Sequence, residues 1–321
     1  MIGEKFKKTI LGICIFTCAG VFMAVNIFAS SISDSQLKNI ENTDVMTEVA
    51  GIVLSDSNYK GGFTADEVGK IEVYMYDVTG DGKEDAIVSV FFGPKSNITS
   101  VYENKGGIYD YKGTLGEFFS PSDINVQGLN SEDYVIFVSD YINQQIGAFE
   151  KETYLYGYVW DEKLNDYKTV FADPLDIEAQ WLQDGIWKKV VRDGSYTYDN
   201  SSVPNIKTTY NQEYYTYSDT GNKRPSKDED YNLADSWQEN ETYYWSDEWG
   251  RFIVGEKIEN STGEKVAVLS RWNKLPYSRT PEFQPYNNVE RILRKDGKAE
   301  NVNKDTLTEI ENKVFNTIKS T

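Results

Sequence analysis

Asp77, Thr79, Asp81 and Asp85 fall at positions 1, 3, 5 and 9 of the stretch DVTGDGKED, with Gly82 at position 6 and Lys83 at position 7. Oxygen donors at this spacing suit a hard divalent cation. Calcium takes six to eight oxygens, a glycine at position 6 permits the sharp turn that points them inward, and the Lys83 carbonyl supplies a backbone ligand. Three carboxylates in so short a segment repel by about 3 kcal/mol per pair at about 5 Å in an effective dielectric of about 20. A bound cation removes that cost. The spacing predicts one calcium site made by Asp77, Thr79, Asp81, Lys83 and Asp85.

The elements that must hold this loop are strands. Before it, IEVYMYD alternates with Ile71, Val73 and Met75 on one side, the period of a half-buried strand. After it, AIVSVFF is apolar and rich in β-branched and aromatic residues, which reads as a more deeply buried strand. Position 12 is Val88, inside that second strand, where an EF-hand needs a bidentate Glu. A strand, a DxTGDGxxD loop and a second strand resemble instead the FG-GAP/VCBS blades of integrin-α-like β-propellers. The resemblance covers residues 71–92 and the hairpin that follows, SVYENKGGIYDYKG, with its turn at Lys105, Gly106 and Gly107. It implies antiparallel four-stranded blades, one calcium ion per intact hairpin loop, and a role in binding or adhesion. A surface Asp/Gly hairpin without metal is the alternative, since Asp-Gly turns are common in hairpins.

One blade cannot bury both faces of its sheet, so copies are expected. Ile71-Glu72-Val73 is echoed by Ile124-Asn125-Val126 and Ile177-Glu178-Ala179, at a spacing of about 53 residues. That period suits a four-stranded blade. The metal loop does not repeat: the second copy shortens to INVQGLNSED and keeps Asp133 without the ligands at positions 1 and 5. The chain is too short for seven blades, so the expected fold is all-β, a small or incomplete propeller-like array over residues 70–272 with copies starting near 71, 124 and 177 and an irregular last sheet. Ahead of it, residues 30–69 read as a loose stem and a short helix over 44–54 capped by Asp44. Residues 221–232, GNKRPSKDEDYN, read as an exposed loop. Beyond 272, residues 273–321 read as an irregular connection followed by a helix over 305–319, with Leu307, Ile310, Val314 and Ile318 on one face.

The residue types present also exclude chemistry. The chain has no histidine, and both cysteines, Cys14 and Cys18, lie in the N-terminal apolar segment, so the remainder lacks the histidine and cysteine ligands on which zinc sites are built and the parts for Ser-His-Asp or Cys-His catalysis. Residues 1–29 carry a basic start at Lys5, Lys7 and Lys8, an apolar run from 10 to 28 and a small-residue site before Ser30 and Ser31. That is the pattern of an export signal, and the run is long enough that an uncleaved anchor is the alternative. The exported part is then secreted or extracellular, with membrane contact only through an uncleaved N-terminus. A net charge of −18 argues against nucleic acid and anionic membrane surfaces as partners.

Two functional classes remain. One is an exported calcium-binding module whose ligand is a protein or glycan. The other is a carbohydrate-active hydrolase using a carboxylate pair, for which Asp235 with Glu239 and Asp247 with Glu248, each beside tryptophan, are the candidates.

Overall fold

The structure, a computed structural model, describes residues 31–310 apart from 94–95, 132, 147, 219–223 and 226–229. The expected export signal, residues 1–29, and most of the expected loop at 221–232 therefore lie outside the described residues. Among those described, no helix is long and apolar enough to cross a membrane. The chain is mostly β, in three antiparallel sheets that include two half-barrels.

The first sheet holds β1 (Ile32–Ser33), β2 (Lys70–Tyr76), β3 (Asp85–Phe91), β4 (Asn97–Asn104) and β5 (Ile108–Phe118) in the order β1-β5-β4-β3-β2. The hairpins at 71–92 and 97–118 are those expected from the alternation. β3 is buried on both faces. Ala86, Val88 and Val90 turn toward a helix, α2 (Thr43–Asp56), while Ile87 turns toward Ile124, Ile136 and Val138 of the second sheet. The helix starts a residue earlier than expected and its cap is Asn42 rather than Asp44. Asn42 lies where a side chain reaches the free N–H groups of the first turn, accepting from Asp44 and Val45 at 3.0 and 3.3 Å, and Asp44 instead adds negative charge at the positive end.

The loose stem is corrected as well. Ile32 is fully buried and pairs with Tyr109 across β1 and β5, and Ser33 forms a capping box with Gln36 at the start of α1 (Asp34–Lys38). An edge of β5 that would otherwise leave backbone groups unpaired takes up the stem.

The second sheet is an uninterrupted meander of eight strands: β6 (Pro121–Gly128), β7 (Tyr134–Ile146), β8 (Ala148–Asp161), β9 (Asp166–Gln183), β10 (Ile186–Asp199), β11 (Asn205–Ser218), β12 (Asn232–Ser246) and β13 (Arg251–Ile253). The expected copies at Ile71 and Ile124 both start early in an edge strand that opens a meander. The third does not begin a unit. Ile177 lies inside β9, opposite Glu152 on one side and Arg192 on the other. Asp173-Pro174-Leu175 has turn chemistry, yet the strand absorbs it as a bulge, with Thr153 opposite Asp176 and Tyr154 opposite Pro174. Proline is tolerated there because β10 pairs with β9 only from Ile177 onward, so no neighbour needs the missing N–H. Gly194 lies where β10 passes the bulge. A Cβ on it would come within 2.4 Å of the Leu175 carbonyl oxygen, so only glycine fits.

The sheet curls until Phe137 of β7 meets Tyr196 and Tyr198 of β10, ring centroids 5.7 and 5.4 Å apart. The resulting core is closed by a third sheet, β17-β16-β15-β14-β18, from β14 (Gly255–Glu259), β15 (Lys265–Arg271), β16 (Val289–Leu293), β17 (Ala299–Asn303) and β18 (Leu307–Glu309). One extended segment joins the two: Val254, between β13 and β14, donates its N–H to the Val268 carbonyl (2.8 Å).

Residues 273–310 are thus not merely a connection and a helix. They add β16, β17 and β18. Asn303 does cap a turn, accepting from the Asp305 N–H at 2.9 Å, but the turn ends at Thr306 and β18 then pairs with β14, Ile258 opposite Thr308. An open strand edge competes here with helix propagation, and each ladder bond satisfies a backbone group that the edge would leave to water. The remainder of the expected helix, 311–319, lies outside the described residues.

Candidate functional site

The acidic loop sits at the tip of the β2-β3 hairpin, which closes with Tyr76 opposite Asp85. Gly82 has φ +80°, the left-handed conformation that the tight turn requires. Asp77 accepts from the N–H groups of Gly80 (2.7 Å) and Gly82 (2.9 Å), and Asp81 from the N–H (2.9 Å) and ammonium (2.7 Å) of Lys83. The Lys83 ammonium holds the exposed Asp81 carboxyl below its usual range.

Asp85 behaves differently. It is fully buried, and its Oδ2 accepts from the Val78 N–H, the Thr79 N–H and the Thr79 hydroxyl at 3.0 to 3.1 Å, while Oδ1 accepts from the Asn104 N–H at 2.8 Å. Four bonds fill the capacity of a carboxylate. Burial raises its pKa even against these donors. Asp85 is therefore committed to pinning the loop onto β4, whereas Asp77, Thr79 and Asp81 keep oxygen lone pairs beyond their internal bonds. Among the described residues no three Asp, Glu, His or Cys side chains converge as metal ligands do. A calcium ion would fit the oxygen chemistry of Asp77, Thr79, Asp81 and the Lys83 carbonyl, with Asp85 setting the backbone that presents them. In the second copy, Asp133 and Asn130 bond each other at 2.7 and 2.8 Å in a short backbone-closed turn.

The carboxylates beside tryptophan are engaged in ion pairs or local bonds. Asp235 pairs with Arg279 (3.1 Å) and Glu239 with Lys274 (2.6 Å), which strap the segment 272–288 onto β12. Along one strand they stand roughly 13 Å apart, beyond the span of about 5 to 9.5 Å that glycoside hydrolysis uses. Asp247 accepts from the Trp245 indole (2.7 Å), and Glu248 binds Lys265 (2.5 Å) and Lys295.

A second arrangement was not anticipated. Between the second and third sheets, under the 272–277 segment, lies a cleft of about 460 Å³. Arg192, Arg251, Arg271 and Arg291 all line it. Arg192 is buried and held by the carbonyls of Pro174 (2.8 Å) and Lys274, with its guanidinium 4.0 Å above the Tyr210 ring. Beneath it Asp173 accepts from the hydroxyls of Tyr210 (2.5 Å) and Tyr243 (3.1 Å). Burial raises the Asp173 pKa, opposed by the Arg192 charge and the two hydroxyls. Arg271 is bound by Glu241 (3.1 Å) and Glu290 (3.3 Å). Arg251 has a buried Nε without a hydrogen-bond partner. Its pKa is lowered by burial and then by the charge of Arg291, which stands at the exposed side.

The sequence holds one sign of this cleft. All seven arginines of the acidic chain lie between residues 192 and 294, and four of them meet here.

The fold and these two arrangements define an antiparallel β protein with an acidic hairpin tip and a cationic cleft. No protein-family model matches the chain, and neither does any curated protein or solved structure.

Proposed function

We propose that the chain is an exported binding module, braced by one calcium ion at the hairpin tip and acting on a protein or glycan ligand at or outside the cell surface. The observation that carries this reading is the loop 77–85. Its oxygen donors are gathered at a turn between two hydrogen-bonded strands, on a backbone that Asp85 fixes from within. β2 to β5 and β6 to β9 are then degenerate FG-GAP/VCBS-like blades, of which only the first keeps its metal loop. Hydrolysis is the weaker reading, because Asp235 and Glu239 are spent on ion pairs and too far apart for the task.

Calcium here has a structural role. Asp77, Thr79, Asp81 and the Lys83 carbonyl offer the ion most of its shell, and the ion offsets the repulsion between carboxylates at the turn. Calorimetry on the chain from residue 30 onward should give a stoichiometry near one, and EGTA should lower the melting temperature, as linkage requires of an ion that binds only the folded state. No heat with Ca²⁺, or a melting curve indifferent to both Ca²⁺ and EGTA, refutes the brace. Mass spectrometry of exported material should find a new N-terminus near Ser30 or Ser31. Full-length mass confined to the membrane fraction would replace cleavage by anchoring.

A further inference from the structure

We propose that the cleft between the second and third sheets is a binding site for a small organic anion, a carboxylate or phosphate carried on a ring-sized body, with Arg251 and Arg291 as the groups that hold the oxyanion. This goes beyond the calcium-braced module and stands or falls independently of the hairpin.

The charges around the cleft are unequally satisfied. Arg271 is matched by Glu241 and Glu290, and Lys274 by Glu239. Arg192 is held by two carbonyls and the Tyr210 ring, and the one carboxylate near it, Asp173, is buried and bonded to two tyrosines. For Arg251 and Arg291, among the described residues, no carboxylate forms an ion pair. Two guanidinium groups thus face one cavity whose lining also holds Glu152 and Asp173, neither of which forms an ion pair with Arg251 or Arg291. A buried guanidinium nitrogen left without an acceptor is costly. Such a cost persists in functional sites when a ligand completes the set.

The planar fork of arginine matches the two oxygens of a carboxylate or phosphate. Arg251 inside and Arg291 toward solvent would take one oxyanion between them, removing their mutual repulsion as well as the unpaired Nε. The rest of the cavity suits an uncharged ring: Tyr154 and Trp272 offer aromatic surface, while Ser270 and Asn301 offer polar contacts. The volume lies in the range of sites for small organic ligands. A polyanion such as nucleic acid is disfavoured by the net charge of the whole surface, whereas a single small anion entering the cleft meets mainly the local guanidiniums.

The test is a thermal-shift and calorimetric titration of the exported chain with benzoate and phenyl phosphate, against the neutral isostere benzamide, each with Ca²⁺ and with EGTA. At least one anion should bind saturably and raise the melting temperature while benzamide does not. Whichever of benzoate and phenyl phosphate binds more tightly identifies the headgroup. Arg251→Gln and Arg291→Gln should each weaken that binding about tenfold or more. Without ligand, Arg251→Gln should leave the melting temperature unchanged or raise it, since it removes an unpaired buried charge. The proposal is overturned if neither anion binds, if benzamide binds equally well, if the variants bind like the parent, or if Arg251→Gln alone lowers the melting temperature by several degrees.

Discussion

The hairpin tip and the cleft are opposite solutions to holding charge. At the tip, Asp77 and Asp81 are satisfied by N–H groups of their own loop, so each depends on its neighbours within a few residues. In the cleft, basic side chains come from β10, β13, β15 and β16, and the groups that hold Arg192 and Arg271 come from other elements of the chain. The first arrangement is built by a turn and the second by packing two sheets. Local charge of this kind tolerates the loss of one exposed member, whereas a buried charge between sheets has no solvent to fall back on.

The strongest way to sharpen this contrast is at Glu290, which is buried behind the cleft wall and accepts from Lys257 (2.9 Å) and Arg271 (3.3 Å). Glu290→Ala leaves the buried Lys257 ammonium with only the largely exposed Glu309 carboxylate (2.9 Å) and should cost about 3 kcal/mol by denaturant unfolding. A loss below about 1 kcal/mol would show that the cross-sheet charges are no more demanding than the exposed ones.

Within the hairpin the contrast should reappear on a smaller scale. Asp85→Ala leaves the Val78, Thr79 and Asn104 N–H groups without their acceptor and should cost about 2 kcal/mol whether or not calcium is present. Metal-free Asp81→Ala should change stability by no more than about 0.5 kcal/mol, while lowering calcium affinity far more than Asp133→Ala does. Equal metal-free losses for Asp81→Ala and Asp85→Ala would contradict the division into a pinning and a ligating carboxylate.

The smallest expected effect concerns acid. Arg294 grips Glu259 through two nitrogens (2.6 and 2.7 Å), which lowers the Glu259 pKa to about 2. A carboxylate held below its unfolded value contributes stability above that value, near 4.5, and loses the contribution as the pH falls toward 2. Glu259→Gln should therefore melt lower than the parent at neutral pH, with the gap closing as the pH falls from about 4.5 to about 2. A gap independent of pH would assign the loss to packing.

The outline of the fold was legible where its signals were local. Period-two alternation and glycine turns marked β2 through β5, and apolar residues at helical spacing marked α2. The reading failed where two local signals competed. The expected third copy at Ile177 falls inside β9, because Asp173-Pro174-Leu175 forms a bulge there and whether a proline interrupts a strand depends on which neighbour needs its N–H. Asp305, followed by Leu307 and Ile310 at helical spacing, looks like the start of a long helix, but the open edge of β14 captures the chain one turn later.

By itself the sequence determined the hairpin and its set of oxygen donors, since nine consecutive residues contain both the turn and the groups it presents. It also determined what chemistry is absent, by lacking histidine altogether. The role of Asp85 and the cleft were decided only by tertiary structure. Asp85 turns inward because Asn104, at the end of the neighbouring strand β4, brings its N–H to it. Arg192, Arg251 and Arg291 come together because the second sheet curls and the chain crosses at Val254 into the third. Net charge is a sum over the whole chain and carries no positions, so an acidic protein can enclose a cationic cleft that no count of its residues would show.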